Sequence, residues 1–296
     1  MIVGFPGYWL PAEIAGKIGA EEVRVTERSF PDGELYIRLV DYDKIPLRDV
    51  ILVSTFFPEQ DRKIWKTLLI LDAIRNNNPK RIIAVRPYLA YSRQDRIFLP
   101  GEPVSACVVV KILRNLGVNI LLTVDVHSNR VLECFGDGGY NIMVSDILVE
   151  HAMKYVDNPI IIAPDKGALD RVSHAARLLS LEHDYLVKQR DRITGEVTYM
   201  PRETCVKNRD VVIVDDIIST GGTIAEASKI LTKQGARKIV VVAAHGLLAE
   251  NAINKLESAN VNRVILADTL LSRYDHSMLE YVDISGRIVR ELSRFI

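Results

Sequence analysis

The stretch that decides the fold is Val211-Val-Ile-Val-Asp-Asp-Ile-Ile-Ser-Thr-Gly-Gly-Thr223. Its first four residues are β-branched and predict a buried strand, with the carboxylates Asp215 and Asp216 at its carboxyl end. Small residues follow, and a helix is expected to begin near Ile224. Open α/β sheets bind ligands at the carboxyl ends of their strands. The stretch therefore predicts a strand, loop and helix that together form a ligand site.

The loop within this stretch has the composition of an anion site. It consists of small residues: Ser219, Thr220, Gly221, Gly222 and Thr223. A tight glycine-rich loop that opens a helix offers backbone N–H groups to an anion, and the helix dipole and hydroxyls assist. The two carboxylates would repel a bound phosphate, so they fit better against sugar hydroxyls or a divalent cation. The pattern indicates a sugar phosphate, and the alternative is an ordinary turn with exposed acids.

The composition limits the classes of function. The chain has 296 residues, enough for two domains, and its 48% hydrophobic residues can form two cores. The 38 basic and 38 acidic residues cancel, which argues against nucleic acid or a membrane surface as the main partner. No apolar run approaches the length of a membrane span, and the N-terminal residues lack the pattern of a signal peptide. We therefore expect a cytoplasmic protein.

The three cysteines, Cys107, Cys134 and Cys205, are odd in number and far apart. They show neither the spacing of metal ligands nor that of a disulfide framework. The sequence predicts buried, reduced thiols at all three positions.

Short β-rich segments alternate with amphipathic helices along the chain, which predicts parallel sheets with helices on both faces. The predicted buried strands are 50–53, 82–85, 120–124, 160–163, 211–214, 239–243 and 264–267, with edge candidates at 23–25 and 35–39. These are too many for one small sheet, and a turn signal lies at Asp157-Asn-Pro159. We predict two similar α/β domains, residues 1–145 and 146–296.

Further polar clusters follow the predicted strands. They are Arg93-Gln-Asp-Arg96, Asp125-Val-His127, Pro164-Asp-Lys-Gly-Ala168 and the basic stretch Lys188-Gln-Arg-Asp-Arg192-Ile-Thr-Gly195. The cations could bind phosphates, the histidine and the strand-end aspartate could bind a metal, and a mobile basic loop suits phosphoryl transfer. Each cluster taken alone is also compatible with a solvated loop, a structural histidine or a plain turn.

Taken together and in order, these motifs resemble the ribose-phosphate pyrophosphokinases, and the phosphate loop is similar to that of phosphoribosyltransferases as well. The matching motifs are Phe30-Pro-Asp-Gly-Glu34, Tyr91-Ser-Arg-Gln-Asp95, Asp125-Val-His127, Pro164-Asp-Lys-Gly167 and the pair Lys188 and Arg190. The resemblance implies a phosphoribosyltransferase-like fold in both domains. It also implies transfer of the β,γ-diphosphoryl group of ATP to the C1 hydroxyl of ribose 5-phosphate, which releases AMP.

The resemblance assigns a role to each motif. It implies an ATP site, partly offered by a neighbouring subunit in a homo-oligomer of at least two chains, at Phe30, Asp32, Gly33, Glu34, Arg93 and Gln94. It implies Mg²⁺ bound by His127 and Asp165, and a pyrophosphate loop of Asp165, Lys166, Gly167 and Ala168. Ribose 5-phosphate would bind at Arg190, Asp215, Asp216 and residues 219–223, and Lys188 and Arg190 would be catalytic.

Some positions depart from the bacterial and animal pattern of this family. Ala168 stands where a second glycine is common, and Ile97-Phe-Leu-Pro-Gly101 lacks the usual basic residues. Two other functions share part of the pattern. A phosphoribosyltransferase needs the same phosphate loop but not an N-terminal ATP domain, and a nucleotide-sensing regulatory subunit is expected to lose catalytic or metal residues that are present here.

Overall fold

A computed structural model of the chain describes residues 1–190, 197–199 and 204–296, with the backbone alone for 188–190 and 197–199. The chain divides into two compact units. The first unit comprises Met1–Ile142, Thr269–Arg273 and Ile284–Ile296, and the second comprises Met143–Asp268 and Tyr274–Asp283.

The strands, in chain order, have the following bounds. They are β1 (Ile2–Gly4), β2 (Glu22–Val23), β3 (Val25–Ser29), β4 (Leu35–Leu39), β5 (Asp49–Val53), β6 (Arg81–Arg86), β7 (Val118–Val124), β8 (Gly139–Ile142), β9 (Pro159–Ala163), β10 (His183–Tyr185), β11 (Lys188–Arg190), β12 (Val197–Tyr199), β13 (Asp210–Ile218), β14 (Lys238–Gly246), β15 (Arg263–Ala267) and β16 (Leu279–Val282). All seven predicted buried strands coincide with strands of this set.

The α-helices are α1 (Leu10–Ile18), α2 (Gln60–Arg75), α3 (Ser105–Asn115), α4 (Arg130–Phe135), α5 (Ser145–Ala152), α6 (Leu169–Leu179), α7 (Gly222–Lys233), α8 (Ala252–Ser258) and α9 (Ser285–Leu292). Short 3₁₀ turns lie at Tyr42–Lys44, Met153–Tyr155 and Lys166–Ala168.

Each unit is built on a parallel sheet, and the two sheets have the same topology. The first has the strand order β2-β1-β5-β6-β7-β8, and the second has β10-β9-β13-β14-β15-β16. When the antiparallel hairpins of β3 with β4 and of β11 with β12 are set aside, both orders read 2-1-3-4-5-6 along the chain. All pairings within these two sheets are parallel. In this order the connections that follow the first and the third strand run in opposite directions, which creates a crevice at the carboxyl ends of these two strands.

Helices cover both faces of the second sheet. One face packs against α7 and α8 in a core that contains Ile213, Val241, Ile224, Leu231 and Leu256. The helices α5 and α6 contact β9, β10, β13, β14 and β15 and contribute nothing to that core, so they cover the opposite face. The predicted fold class, two similar parallel α/β domains with helices on both faces, is confirmed.

The C-terminal segment belongs to the first unit, which the predicted span 146–296 does not anticipate. Helix α9 packs against α1 and β8. The guanidinium of Arg81 donates to the backbone oxygen of Phe295 at 2.5 Å, and the rings of Tyr140 and Phe295 lie 4.8 Å apart. These contacts involve residues more than a hundred positions apart, so no local pattern reveals them.

The predicted state of the cysteines is wrong. Cys107 and Cys134 form a disulfide between α3 and α4, with their Cα atoms 5.2 Å apart, and Cys205 is an exposed free thiol. The two bonded residues are 27 positions apart. Only the packing of α3 against α4 brings them within bonding distance, so their spacing in the sequence carries no sign of the bond.

Candidate active site

The carboxyl ends of β9 and β13 lie side by side at the crevice of the second unit. The loop after β9 contains the predicted pyrophosphate residues, and the loop after β13 contains the predicted sugar-phosphate residues. The topology therefore places two loops of the chemistry predicted for phosphate binding next to each other, where open α/β sheets hold ligands.

Strand β13 is longer than predicted. It continues to pair with β14 as far as Ile218 and Gly246, so Asp215 and Asp216 lie within the strand and not after it. The loop is correspondingly short, and α7 begins at Gly222. The extended pairing arises because the apolar residues Ile217 and Ile218 are buried and continue the strand beyond the acid pair.

The phosphate loop turns at Gly221, whose φ of +74° lies in the left-handed region. A Cβ atom there would meet the backbone oxygen of Ala252 at 3.1 Å, so both conformation and space require glycine. The N-cap residue Gly221 has no side-chain oxygen that could accept hydrogen bonds from the N–H groups in the first turn of α7. The loop is anchored by Ala249, whose N–H donates to the oxygen of Ser219 at 2.9 Å. This geometry suits an oxyanion at the helix N-terminus.

Asp165, the first residue of the predicted pyrophosphate loop, fixes the conformation of the loop after β9. The carboxylate Oδ1 of Asp165 accepts from the N–H of Gly167 at 2.8 Å and starts the 3₁₀ turn. Ala168 has φ of −87° and ψ of −3°, an ordinary right-handed conformation. A glycine is therefore not required at this position, and the replacement by alanine leaves the turn unstrained.

Arg171 is a site residue that the sequence analysis did not assign. It is buried on α6, and its guanidinium lies 3.6 Å from the Oδ2 atom of Asp216 and donates to the oxygen of Gly167 at 3.4 Å. The side chain thus connects the loop after β9 to the acid pair of β13. No local pattern in the sequence marks Arg171, because its contact with Asp216 joins residues on separate elements.

The two carboxylates of β13 differ in their surroundings. Asp216 is buried against Arg171, whereas Asp215 is half-buried and keeps access to solvent. The pKa of Asp215 lies well above its usual range. Burial is the largest cause, the charge of Asp216 is the next, and the charge of Asp165 acts in the same direction. A bound cation at this edge would offset the negative charge that accumulates there, and the hydroxyls of a polyol could donate hydrogen bonds to the carboxylates.

In the first unit, the predicted adenine residues form the exposed tip of the hairpin of β3 and β4. The N–H of Phe30 donates to the oxygen of Glu34 at 2.8 Å, and Gly33 turns with a φ of +95°. The ring of Phe30 lies 6.1 Å from that of Tyr36. No hydrogen bond or ion pair among the described residues joins this tip to Arg93 or Gln94 of the same chain.

The second predicted ATP segment follows β6. Arg93 is exposed, and Gln94 is half-buried against the start of α3, where the hydroxyl of Ser105 donates to its Oε1 atom at 2.5 Å. The N–H of Ala106 donates to the backbone oxygen of Gln94 at 3.3 Å. The orientation of Gln94 is therefore set by the first turn of α3.

The predicted metal ligand His127 is exposed after β7. The buried residue Asp125, with a φ of +39°, precedes it and donates its N–H to the oxygen of Ile142 at 3.0 Å. The N–H of Val126 donates to the side chain of Asn141 at 2.9 Å. Strand-end backbone contacts thus fix this segment in the first unit.

In the described part of the chain, no group of three or more His, Cys, Asp or Glu side chains could hold a metal ion. Mg²⁺ is usually bound through one or two carboxylates together with substrate phosphates and waters. The half-buried carboxylate of Asp165 and the raised pKa of Asp215 are consistent with a cation beside the loop after β9.

The predicted catalytic pair Lys188 and Arg190 lies in β11, which pairs antiparallel with β12 in a hairpin. The side chains of these residues, and the whole of Arg192, Thr194 and Gly195, lie outside the described residues. None of the helices in the described ranges has the length and apolar character needed to span a bilayer.

Comparison with known proteins identifies both units. The model of the N-terminal domain of ribose phosphate pyrophosphokinase matches residues 8–117, and that of the phosphoribosyl transferase domain matches residues 143–271. The ribose-phosphate pyrophosphokinase of Aeropyrum pernix is 39% identical over 285 residues, which cover 96% of this chain and 92% of the relative. The chain belongs to the ribose-phosphate pyrophosphokinase family.

Other members of the ribose-phosphate pyrophosphokinase family match with similar coverage. The Sulfolobus acidocaldarius protein is 35% identical and covers 99% of both chains, and the Pyrococcus furiosus protein is 39% identical over 91% of this chain and 94% of its own. The fold agrees with a crystal structure of phosphoribosylpyrophosphate synthetase from Mycobacterium smegmatis, with a TM-score of 0.88, 23% identity and coverage of 99% and 97% of the two chains.

Proposed function

We propose that this chain transfers the β,γ-diphosphoryl group of ATP to the C1 hydroxyl of ribose 5-phosphate, giving phosphoribosyl pyrophosphate and AMP. The observation that carries the proposal is the match, in order, of both domain models of a pyrophosphokinase along one chain. The crevice of the second unit, with its paired phosphate-type loops, supports it from the geometry.

Ribose 5-phosphate binds, in this proposal, at the end of β13. The 5-phosphate sits on the N–H groups and hydroxyls of residues 219–223, and the half-buried Asp215 accepts hydrogen bonds from the ribose hydroxyls. Asp216 does not contact the sugar in this proposal, because it is buried and forms an ion pair with Arg171. The loop Asp165, Lys166, Gly167 and Ala168 receives the diphosphoryl group beside it.

ATP binds on residues of the first unit, namely Arg93 and Gln94, together with Phe30, Asp32, Gly33 and Glu34 of a neighbouring subunit. The exposed hairpin tip, which makes no hydrogen bond or ion pair with Arg93 or Gln94 of its own described chain, supports a role toward a second copy. The proposal therefore includes a homo-oligomer of at least two chains. It also puts the enzyme in the cytoplasm, where ATP and sugar phosphates are available.

Mg²⁺ is the proposed cofactor, held by Asp165 and His127 with the substrate phosphates. When bound, it neutralises phosphoryl oxygens and the charge that two anionic substrates bring together. The protein residues contribute position and charge: the loops align the C1 hydroxyl with the β-phosphorus, and the cations of Lys188 and Arg190 stabilise charge that develops in the transition state.

The two alternatives are less favoured. A phosphoribosyltransferase would use the second unit alone, whereas the match to the N-terminal domain of a pyrophosphokinase covers residues 8–117. A nucleotide-sensing subunit would not need His127, Asp165, Lys188 and Arg190, all of which are present.

The test is an AMP-release assay with ATP, Mg²⁺ and ribose 5-phosphate, in which each component is omitted in turn. We expect AMP only in the complete mixture. AMP release without ribose 5-phosphate, or orthophosphate in place of AMP, would indicate a different nucleotide-hydrolysing or transferring activity.

A further inference from the structure

The disulfide between Cys107 and Cys134 joins the two segments of the first unit that carry the proposed ATP and metal residues. Cys107 lies in the first turn of α3, and Cys134 lies in the last turn of α4. The bond closes a chain segment with a sequence separation of 27, which contains the whole of β7 and His127.

The helix α3 is coupled to the ATP segment on the near side of the bond. Its first residue, Ser105, and the next residue, Ala106, hold both the side chain and the backbone oxygen of Gln94. Cys107 follows immediately, so the sulfur is one residue from the groups that orient Gln94. A displacement of this turn would displace Gln94 with it.

The helix α4 is coupled to the histidine segment on the other side. It begins at Arg130, three positions after His127, and the N–H of Val131 donates to the oxygen of Ser128 at 3.1 Å. A helix of six residues has little stability of its own and depends on its tertiary contacts. Besides the disulfide, the contacts of α4 with α3 include the guanidinium of Arg114, 5.2 Å from the ring centre of Phe135.

A reductant can reach the bond. The two cysteines are half-buried and line a groove with a volume of about 590 Å³, whose other walls include Asp95 and Arg96. A dithiol would reduce it in two steps. One of its thiolates attacks a cysteine sulfur, forms a mixed disulfide and expels the other cysteine as a thiolate. The second thiolate of the reductant then attacks the reductant sulfur of the mixed disulfide and expels the remaining cysteine. Two cysteine thiols form, each gaining one proton, and the dithiol becomes a disulfide.

We infer that the Cys107–Cys134 disulfide is a positioning device for ATP, which fixes Gln94 and the His127 segment relative to each other before the nucleotide binds. The inference rests on the proposed function. The two cysteines lie on α3 and α4, whereas the phosphate loop and the acid pair lie in and after β13. Loss of the bond therefore weakens ATP binding and leaves ribose 5-phosphate binding unchanged. Reversible reduction thereby couples nucleotide affinity to the thiol state of the surroundings.

The experiment compares the oxidised enzyme, the same enzyme with excess dithiothreitol, Cys107→Ser, Cys134→Ser and the control Cys205→Ser, which keeps the bond. Thiol titration under denaturing, non-reducing conditions should find one thiol in the wild type and three after reduction. We expect the KM for ATP to rise roughly threefold to tenfold on reduction or in either bond-removing variant, as when one or two ordered side chains become mobile. The kcat and the KM for ribose 5-phosphate should stay near the oxidised values, and reoxidation of the wild type should restore the KM for ATP.

Three titratable thiols in the wild type before reduction would overturn the inference. So would equal changes in the two KM values, or an unchanged KM for ATP after reduction. The reduced wild type keeps the test decisive if the serine variants do not fold. An oxidised enzyme that releases no AMP refutes the proposed function. In that case, calorimetric titration of the oxidised and reduced forms with ATP tests the positioning role of the disulfide separately. Equal affinities of the two forms for ATP would refute that role.

Discussion

The third strand of each sheet is followed by a connection that ends in an N-cap residue with a positive φ, and the two connections differ in chemistry. In the second unit, β13 leads through Ser219 and Thr220 to Gly221, the N-cap of α7, with a φ of +74°. In the first unit, β5 leads to Glu59, the N-cap of α2, with a φ of +58°. Both N-cap residues have a φ in the left-handed region, although their ψ angles are −4° and +59° and only one of them is a glycine.

The side chains around the two turns make only one of them suitable for an anion. In the first unit, the residues after β5 include the buried Thr55 and Phe56, and the helix opens with Glu59 and Asp61. Two carboxylates at a helix N-terminus satisfy the dipole and repel a phosphate. In the second unit, no acidic residue lies in the first turn of α7. Shared topology therefore positions a turn, and the residues on it decide whether it binds phosphate.

The largest expected effect tests whether a cation of the second unit stabilises the negative charge that develops in the transition state. Lys188→Ala should lower kcat by about 10²–10³, the typical loss of one preorganised electrostatic contact, while ATP and ribose 5-phosphate still bind. Steady-state kinetics and calorimetry on the same variant measure the two quantities. A tenfold rise in KM with kcat intact would make Lys188 a ground-state binding residue.

The next effect tests the need for glycine in the phosphate loop. Gly221→Ala forces a Cβ atom into the left-handed region and against the oxygen of Ala252, so it should raise the KM for ribose 5-phosphate about tenfold or more and cost about 1–2 kcal/mol of folding free energy. Gly16→Ala is the matched control, because a Cβ atom on this residue of α1 meets nothing within 4 Å. An unchanged KM in Gly221→Ala would contradict the assignment of the loop.

A stability measurement tests the acid pair. The pKa of Asp215 is raised in the folded protein, so its contribution to stability is fully present below the unfolded pKa and is lost as the pH rises through the folded pKa. Asp215→Asn does not titrate, and it should be more stable than the wild type by roughly 1–3 kcal/mol above that range, with a difference that shrinks toward pH 4. Denaturant unfolding of both proteins at several pH values measures this. A difference independent of pH would show that the charge of Asp215 is already compensated.

The smallest effect concerns the corresponding turn of the first unit. Glu59→Gly removes a left-handed non-glycine residue. The gain is partly offset by the flexibility of glycine in the unfolded chain and by the loss of a carboxylate at the helix N-terminus, so the free energy of unfolding should rise by about 0.5 kcal/mol or less. The KM for ribose 5-phosphate should not change. Thermal unfolding and the AMP-release assay provide the two measurements, and a rise in that KM would mean that the first turn also serves the sugar phosphate.

The sequence predicted the elements whose cause is local. Four β-branched residues predicted the start of β13, and the glycines after it predicted the turn that opens α7. The role of that turn as a phosphate loop stays a prediction. The end of β13 was missed because it depends on pairing with β14 as far as Gly246. The contact of Arg171 with Asp216 and the bond between Cys107 and Cys134 join residues on separate elements, and their spacing does not encode them.

The roles of the individual site residues stay predictions, because they were carried over from the family resemblance. The structure adds restraints to them. It shows how Asp165 shapes its own loop and why alanine suffices at position 168, where the backbone is right-handed. It also distinguishes the solvent-accessible Asp215 from the buried Asp216, which no pattern of two adjacent carboxylates could do.

The return of the C-terminal segment to the first unit has a consequence for biosynthesis. Residues 284–296 are translated after the second unit, yet α9 packs on α1 and Phe295 contacts Arg81 and Tyr140. On the ribosome, the first unit therefore lacks α9 until residues 284–296 have been synthesised, while the second unit can already collapse. A nascent chain stalled near residue 283 should expose the apolar face of α1 that α9 otherwise covers.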